Sequence, residues 1–209
     1  MIVIVDYGMG NLRSVSKALE SLGASVRVSS DPRDVAQAQK LILPGVGAFP
    51  AAMRELSSRT LVEPIKTAIS NGVPYLGICL GLQLLFESSD EGEQTTGLGV
   101  LKGRVTRLAV KPPLKIPHMG WNQVASTQHT AHSTQQQCPL LKGIPEKSFF
   151  YFVHSYAAKP ADRSIITLEA EYGEPVTAMV WQRNLFATQF HPEKSQTLGL
   201  KLLQNFINL

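Results

Sequence analysis

Short apolar segments alternate with amphipathic segments through the first half of this 209-residue chain. Four of the apolar segments read as strands by their length and apolar content: MIVIV, ASVRVSS, KLILP and VPYLGI. The sequence between them predicts helices over residues 12–23, 31–39 and 48–71, with Asp31 as an N-cap before Pro32 and Gly23 as a C-terminal stop. Strands joined in this way by helices lie parallel. The alternation therefore predicts an α/β fold with an open, mostly parallel central sheet and helices on both faces.

The second half of the chain has a different pattern. Six segments read as strands, several of them joined by hairpin-length turns: GVLKGRVTRL, WNQVAS, KSFFYFVHSYA, SIITLEAEYG, PVTAMVWQ and LFATQF. These segments predict antiparallel strands that extend the parallel sheet. A last helix over residues 195–209 is predicted to carry Leu198, Leu202, Phe206 and Leu209 on one face. No linker rich in proline or glycine interrupts the pattern, so residues 1–209 are predicted to form a single domain.

Composition and charge exclude several classes of protein. A hydrophobic content of 44% and a charged content of 17% predict a folded core rather than disorder. Two cysteines are too few for a disulfide framework. No run approaches the ~20 apolar residues that span a bilayer. Together these observations predict a cytoplasmic protein without a membrane partner. The net charge is +4, but the one basic cluster reads as a solvated strand face and predicts no nucleic-acid partner; it comprises Lys102, Arg104, Arg107, Lys111 and Lys115.

Cys79 lies between two glycines, where a strand pattern changes directly to a helix pattern in VPYLGICLGLQLLF. One interpretation is a small core residue, because free cysteines are among the most buried side chains. The other is a nucleophile elbow, in which Gly77 and Gly81 permit a sharp strand-to-helix turn that exposes the thiol at the edge of the sheet. In the second case the N–H groups of the following helix favour the thiolate form.

A cysteine nucleophile needs a base and a residue that orients this base. His129 and His132 fall in the polar segment TQHTAHSTQQQ and are predicted to be solvated, while His118 and His154 read as ordinary hydrogen-bonded histidines. His191 follows an apolar strand and precedes Glu193 by two residues, so in extended chain the carboxylate can bind one imidazole nitrogen. The alternative is an ion pair on the surface.

Oxyanion donors are expected from a further strand end. After a strand over residues 40–43, the segment PGVG is predicted to form a turn in which the backbone N–H groups of Val46 and Gly47 are available. The N–H of Leu80, directly after the cysteine, is the second predicted donor. A plain turn is the alternative. Ligands bind at the C-terminal ends of parallel strands, where all these segments are expected to meet.

At these residues the sequence resembles the class I glutamine amidotransferases, with GICLGLQ as the nucleophile motif and HPEKS as the histidine–glutamate motif. Within this family DYGMGNL, LPGVGAF, PHMGWN and YFVHSY are similar to the glutaminase subunits of imidazole glycerol phosphate synthases. The motifs run from residue 6 to residue 195, which is nearly the whole chain. No role is assigned to the segment VASTQHTAHSTQQQCPLLKGI.

The resemblance implies a mechanism and a partner. Cys79 is expected to attack the glutamine amide, His191 to act as base and then as acid, and Glu193 to orient the histidine, without a metal or another cofactor. The ammonia is expected to pass to a (β/α)₈ cyclase subunit in histidine biosynthesis. The implied substrate-binding residues are Gly45, Gln83, Ser155 and Tyr156. The implied contacts with the partner are Asn11, Trp121 and Lys194.

Three alternatives stay open on the sequence. The chain could serve a different synthase, such as one that makes anthranilate or aminodeoxychorismate, although PHMGWN and YFVHSY argue against this. It could be a cysteine hydrolase of related fold that cleaves peptides or γ-glutamyl chains. It could also be an inactive relative kept as a binding subunit, which the intact Cys79, His191 and Glu193 disfavour.

Overall fold

The computed structural model describes residues 1–127 and 138–209. The helices are α1 Leu12–Ser21, α2 Pro32–Ala36, α3 Phe49–Ser58, α4 Val62–Ser70, α5 Leu80–Gln83 and α6 Gln196–Ile207. The strands are β1 Ile2–Val5, β2 Val26–Ser29, β3 Lys40–Gly45, β4 Tyr75–Cys79, β5 Phe86–Ser89, β6 Thr95–Thr96, β7 Leu101–Arg107, β8 His118–Ser126, β9 Phe149–His154, β10 Tyr156–Pro160, β11 Ile166–Glu171, β12 Pro175–Gln182 and β13 Leu185–Thr188. His129 and His132, which the sequence predicts to be solvated, lie outside the described residues.

The central sheet has nine strands in the order β2-β1-β3-β4-β13-β12-β11-β8-β9. The first five strands of this order run parallel to one another, and each later pair is antiparallel. The predicted parallel sheet with an antiparallel extension is therefore confirmed. Strand β4 lies between β3 and β13, so the strand that ends at Cys79 has a parallel neighbour on each side.

Helices cover both faces of this sheet, and successive strand residues serve different cores because their side chains alternate. Ile2 and Ile4 of β1 face the core that α1 and α6 close, whereas Val3 and Val5 face the core that α2, α3 and α4 close. Each core contains fully buried aromatic rings, among them Phe49 on one face and Phe206 on the other. Burying one such side chain contributes about 1.5–3 kcal/mol.

Several helix ends follow the sequence signals. The Asp31 carboxylate accepts from the N–H of Arg33 at the start of α2, with Pro32 at the first position. Helix α1 ends before Gly23, which has φ +82°. The predicted face of the last helix is wrong at its end, because α6 stops at Ile207 and Leu209 is 45% exposed. The chain turns away before Leu209 can return to the core.

A second sheet of four strands, in the order β10-β7-β5-β6, was not predicted. The apolar run after Cys79 predicts a continuing helix, but α5 ends at Gln83 and Phe86 begins β5. The side chains of Leu84, Leu85 and Phe86 are all fully buried, so the run carries no period that separates helix from strand. The segment KSFFYFVHSYA is likewise not one strand, because Ser155 separates β9 of the large sheet from β10 of the small one.

The basic strand face is confirmed on β7, where Lys102 and Arg104 are exposed while Leu101 and Val105 are buried. No helix among the described residues is long and apolar enough to cross a membrane.

Candidate active site

Cys79 occupies a strained turn at the end of β4. Its backbone has φ +55° and ψ −106°, a conformation that residues other than glycine rarely adopt. A Cβ atom on Gly81 would lie 1.8 Å from the backbone oxygen of Leu43, and one on Gly77 would lie 2.6 Å from that of Gly81. Both glycines are therefore required by close backbone approach, which is the geometry of a nucleophile elbow. Cys79 as a whole is 6% exposed, and it lines a cavity.

The helix after the elbow is shorter than predicted. Helix α5 has four residues, so it supplies one turn of N–H groups rather than the dipole of a long helix. Its tight fit comes from β3, because a Cβ on Gly81 would overlap that strand.

His191 and Glu193 form a buried pair directly after β13. The Nδ1 atom of His191 lies 2.8 Å from Oε1 of Glu193, and the two side chains are 2% and 1% exposed. This burial contradicts the alternative of a surface ion pair. The predicted extended backbone is wrong, because Pro192–Lys194 forms one turn of 3₁₀ helix that returns the carboxylate to the imidazole. Among the described residues, Nε2 of His191 has no hydrogen-bond partner, so it remains available for a proton.

The protonation of His191 depends on its neighbours. Burial alone lowers the pKa of this imidazole, but its interactions with Cys79 and Glu193 outweigh burial and raise the pKa to about 10. The imidazolium is the species that forms when the cysteine proton moves to Nε2. The site therefore stabilises the imidazolium that this transfer forms.

The segment PGVG lies beside the elbow, but its turn begins later than predicted. Strand β3 continues through Pro44 to Gly45, which pairs with Cys79 across the sheet, and the turn starts at Val46. A Cβ atom on Gly45 would lie 2.4 Å from the Tyr7 hydroxyl, so this position requires glycine for packing. Gly47 has φ +100°, which other residues rarely adopt.

A cavity of about 370 Å³ opens above the thiol. Six predicted site residues other than Cys79 line it: Val46, Gly47, Leu80, Gln83, Ser155 and Tyr156. Gly45 does not line the cavity. Four lining residues were not predicted for the site: Glu91, Pro117, Val153 and His154. In the described part of the chain, no three His, Cys, Asp or Glu side chains are arranged to hold a metal ion.

Comparison with protein families gives a match to the model of "Glutamine amidotransferase class-I" over residues 3–209. The chain belongs to the class I glutamine amidotransferase family. Relatives named "Imidazole glycerol phosphate synthase subunit HisH" include those of Syntrophotalea carbinolica, 50% identical over 99% of this chain and 98% of that protein, and of Rhodopirellula baltica, 50% identical over 99% and 96%. The relative in Nostoc punctiforme is 49% identical over 99% and 95%.

Solved structures of the family share the fold at low sequence identity. A glutamine amidotransferase structure superposes with a TM-score of 0.74 at 18% identity and covers 100% of this chain and 98% of its own. The glutaminase domain of Trypanosoma brucei CTPS with bound acivicin has a TM-score of 0.66 at 16% identity and covers 99% and 90%.

The three residues that the family resemblance implied as partner contacts lie in different settings. Trp121 of β8 is 46% exposed and meets the ring of Tyr151 edge-on at 6.2 Å. The Nζ atom of Lys194 lies 5.9 Å from the centre of the same ring. Trp121 and Lys194 therefore flank one aromatic residue. Asn11 instead caps α1, where its side chain accepts from the N–H of Ser14.

His118 and His154 are ordinary hydrogen-bonded histidines, as the sequence predicted. Nδ1 of His118 lies 3.0 Å from Nε2 of His154, whose own Nδ1 lies 2.8 Å from the backbone oxygen of Tyr156. Burial lowers the pKa of His118 to about 4 and the pKa of His154 to about 3, so both rings are neutral near pH 7. The hydrogen bond between His154 and the Tyr156 oxygen therefore holds this part of the cavity wall, and the two neutral rings add no charge to it.

Sequence reasoning missed two side chains at this amidotransferase site. Glu91 belongs to an acidic segment, SSDEGEQ, that reads as a solvated loop, yet it lines the cavity and accepts from the N–H of Phe49. Gln189 lies two residues before His191 and reads as part of an apolar strand end, yet its amide contacts the Cys79 sulfur. Neither contact leaves a sequence signal, because both depend on which distant segments meet at the cavity.

Proposed function

We propose that this chain is the glutaminase subunit of imidazole glycerol phosphate synthase and that it hydrolyses glutamine to glutamate and ammonia through Cys79. The observation that carries the proposal is the strained Cys79 elbow, which lines the cavity, together with the buried His191–Glu193 pair that interacts with Cys79. The identity of about 50% to proteins named as HisH subunits, over nearly the whole chain, supports this choice of synthase. A cytoplasmic location belongs to the same proposal.

In the proposed chemistry His191 takes up a proton and returns it twice. The Cys79 proton moves to Nε2 of His191, and the thiolate attacks the side-chain amide carbon of glutamine. When the C–N bond breaks, His191 returns the proton to the leaving ammonia. Water then attacks the γ-glutamyl thioester with His191 again as base, the C–S bond breaks, and His191 returns the proton to the Cys79 sulfur as glutamate leaves. Glu193 holds the imidazole orientation and stabilises its charged form throughout.

The developing oxyanion needs preorganised N–H donors. The N–H groups of Leu80 and of Val46 or Gly47 are the proposed donors, since all three residues line the cavity beside the sulfur. Rotation of a peptide plane in the turn at Gly47 would present a carbonyl instead of a donor. A partner that favours the donor orientation would raise the hydrolysis rate, because one such donor typically contributes about 10²–10³ in rate.

Glutamine recognition is assigned to the remaining cavity wall. The Glu91 carboxylate offers an anionic partner for the α-ammonium group of an amino acid. Gln83, Ser155 and Tyr156 form the adjoining wall. Gly45 contributes to the site through packing, since it lets Tyr7 and Leu80 approach the end of β3.

The ammonia is proposed to pass to a (β/α)₈ cyclase subunit. Asn11, Trp121 and Lys194 are the proposed contacts with this partner. Exposed apolar side chains support an interface on the strand pair β8–β9, where Met119 is 62% and Phe149 is 53% exposed.

The direct experiment measures glutamate and ammonia release from glutamine by the purified subunit, alone and with the cyclase. We expect equal amounts of both products and a faster reaction when the ligand-loaded cyclase is present. Release without any response to this cyclase would assign the chain to another synthase. No release under either condition would refute the glutaminase proposal.

A further inference from the structure

Gln189 is a completely buried polar residue directly after β13, and its side chain reaches the candidate nucleophile. Its Nε2 atom lies 3.6 Å from Sγ of Cys79, within the range of an N–H···S hydrogen bond. Sγ of Cys79 in turn donates to the backbone oxygen of Val153 at 3.8 Å. The thiol is thus placed between one acceptor and one donor.

The orientation of the Gln189 amide is determined by Gln83. Nε2 of Gln83 donates to Oε1 of Gln189 at 3.0 Å and to the backbone oxygen of Tyr156 at 2.9 Å. If the Gln189 amide were rotated by 180°, its NH₂ group would face the NH₂ group of Gln83, and its oxygen would face the sulfur. The first contact would be unfavourable in any state and the second once the sulfur is a thiolate, so the network directs the Gln189 N–H toward Cys79.

The two contacts of the sulfur act in opposite directions. The Val153 oxygen can only accept, so it stabilises the S–H form and is repelled by a thiolate. The Gln189 N–H becomes a charge-assisted donor once the sulfur is negative, and such bonds are stronger than neutral ones. As the proton leaves for His191, the Gln189 contact therefore gains strength while the Val153 contact loses it.

We propose that Gln189 is a further catalytic residue, whose amide N–H stabilises the Cys79 thiolate, and that Gln83 is the positioning residue that aims this amide. The inference deepens the proposed glutaminase function and rests on it for its role in turnover. Because Gln83 also holds the Tyr156 carbonyl, the same amide network links the nucleophile to the wall of the substrate cavity.

The test is the pH dependence of iodoacetamide alkylation at Cys79, quantified on the peptide by mass spectrometry in the full-length chain. In Gln189→Leu we expect the midpoint of the alkylation profile to move up by about one pH unit, which is about tenfold less thiolate at neutral pH. In Gln189→Glu, which has the same length but a negative charge, the shift should be larger. This second variant also tests the donor if the leucine variant does not fold.

Thr188→Val is the matched control, because it removes a buried hydrogen bond to the Phe190 oxygen in the same segment without touching the sulfur. Its alkylation midpoint should equal that of the wild type. A purely structural role for Gln189 would lower thermal stability and leave the midpoint unchanged, and that result in both Gln189 variants would overturn the inference. Alkylation needs no glutamine, so a shifted midpoint in a chain that hydrolyses no glutamine would contradict the proposed function alone.

Discussion

His191 shows how two neighbours decide the charge of one residue. A histidine in the unfolded chain titrates near about 6.5, whereas in the folded protein Cys79 and Glu193 overcome burial and raise the pKa to about 10. Because the folded pKa is the higher one, the protonated imidazole stabilises the fold. This contribution is complete below about pH 6.5 and is lost as the pH rises toward 10.

Replacing Glu193 by glutamine should therefore act on both stability and turnover. Burial of His191 remains while the carboxylate charge is lost, so the pKa of His191 should fall. The difference in unfolding free energy between wild type and variant should be largest below about pH 6.5 and shrink toward pH 10, as measured by urea unfolding across this range. We expect glutaminase turnover to fall by about 10²–10⁴-fold. Wild-type turnover in Glu193→Gln would contradict the orienting role.

Tyr7 carries a buried hydroxyl with no hydrogen-bond partner among the described residues. Burial, and then the nearby Cys79, raise the pKa of this phenol, so it stays neutral. A buried, unpaired hydroxyl costs free energy that a hydrogen atom of the same ring does not. Tyr7→Phe should leave the protein as stable or about 1 kcal/mol more stable in urea unfolding. A loss of more than about 1 kcal/mol would mean that the hydroxyl has a partner in solution.

At the level of secondary structure, the sequence predicted the sharp turn between β4 and α5 but not the length of α5. The glycine spacing around Cys79 predicted a sharp turn, since only glycine tolerates such close backbone contact. The end of α5 at Gln83 could not be predicted, because Leu84, Leu85 and Phe86 are apolar whichever structure they adopt. The boundary at Ser155 was missed in a similar way: β9 and β10 read as one strand in the sequence, although they belong to different sheets.

The packing of this junction gives a prediction with an internal comparison. Gly81→Ala would place a methyl group against the Leu43 carbonyl, and we expect it to cost about 3 kcal/mol of unfolding free energy. Gly72→Ala meets nothing within 4 Å and is strained only by its φ of +83°, so it should cost about 1 kcal/mol. Urea unfolding of both variants measures the two losses of unfolding free energy. Equal losses would mean that β3 yields to the added methyl group.

At the scale of the whole molecule, the sequence predicted the large sheet and the proposed catalytic residues Cys79, His191 and Glu193, but not the second sheet. The motifs that carry these residues are short segments at strand ends, so their meeting point follows from the parallel order of β4 and β13. The substrate wall does not, because Tyr156 lies in β10 and Glu91 lies between β5 and β6, all in the small sheet. The strands of that sheet are short, and their pairing depends on contacts between distant segments.

The central claim is that the Cys79 thiol serves only to cleave the glutamine amide. The measurement is the synthase activity of the Cys79→Ala subunit in complex with the cyclase, with glutamine or with ammonium salts as the nitrogen source. Cys138→Ala is the control, since this second buried thiol, whose pKa burial raises to about 12, should be dispensable for both activities. We predict that Cys79→Ala loses glutamine-dependent activity and retains ammonium-dependent activity. Retained glutamine-dependent activity, or loss of the ammonium-dependent reaction while the subunits still associate, would contradict this claim.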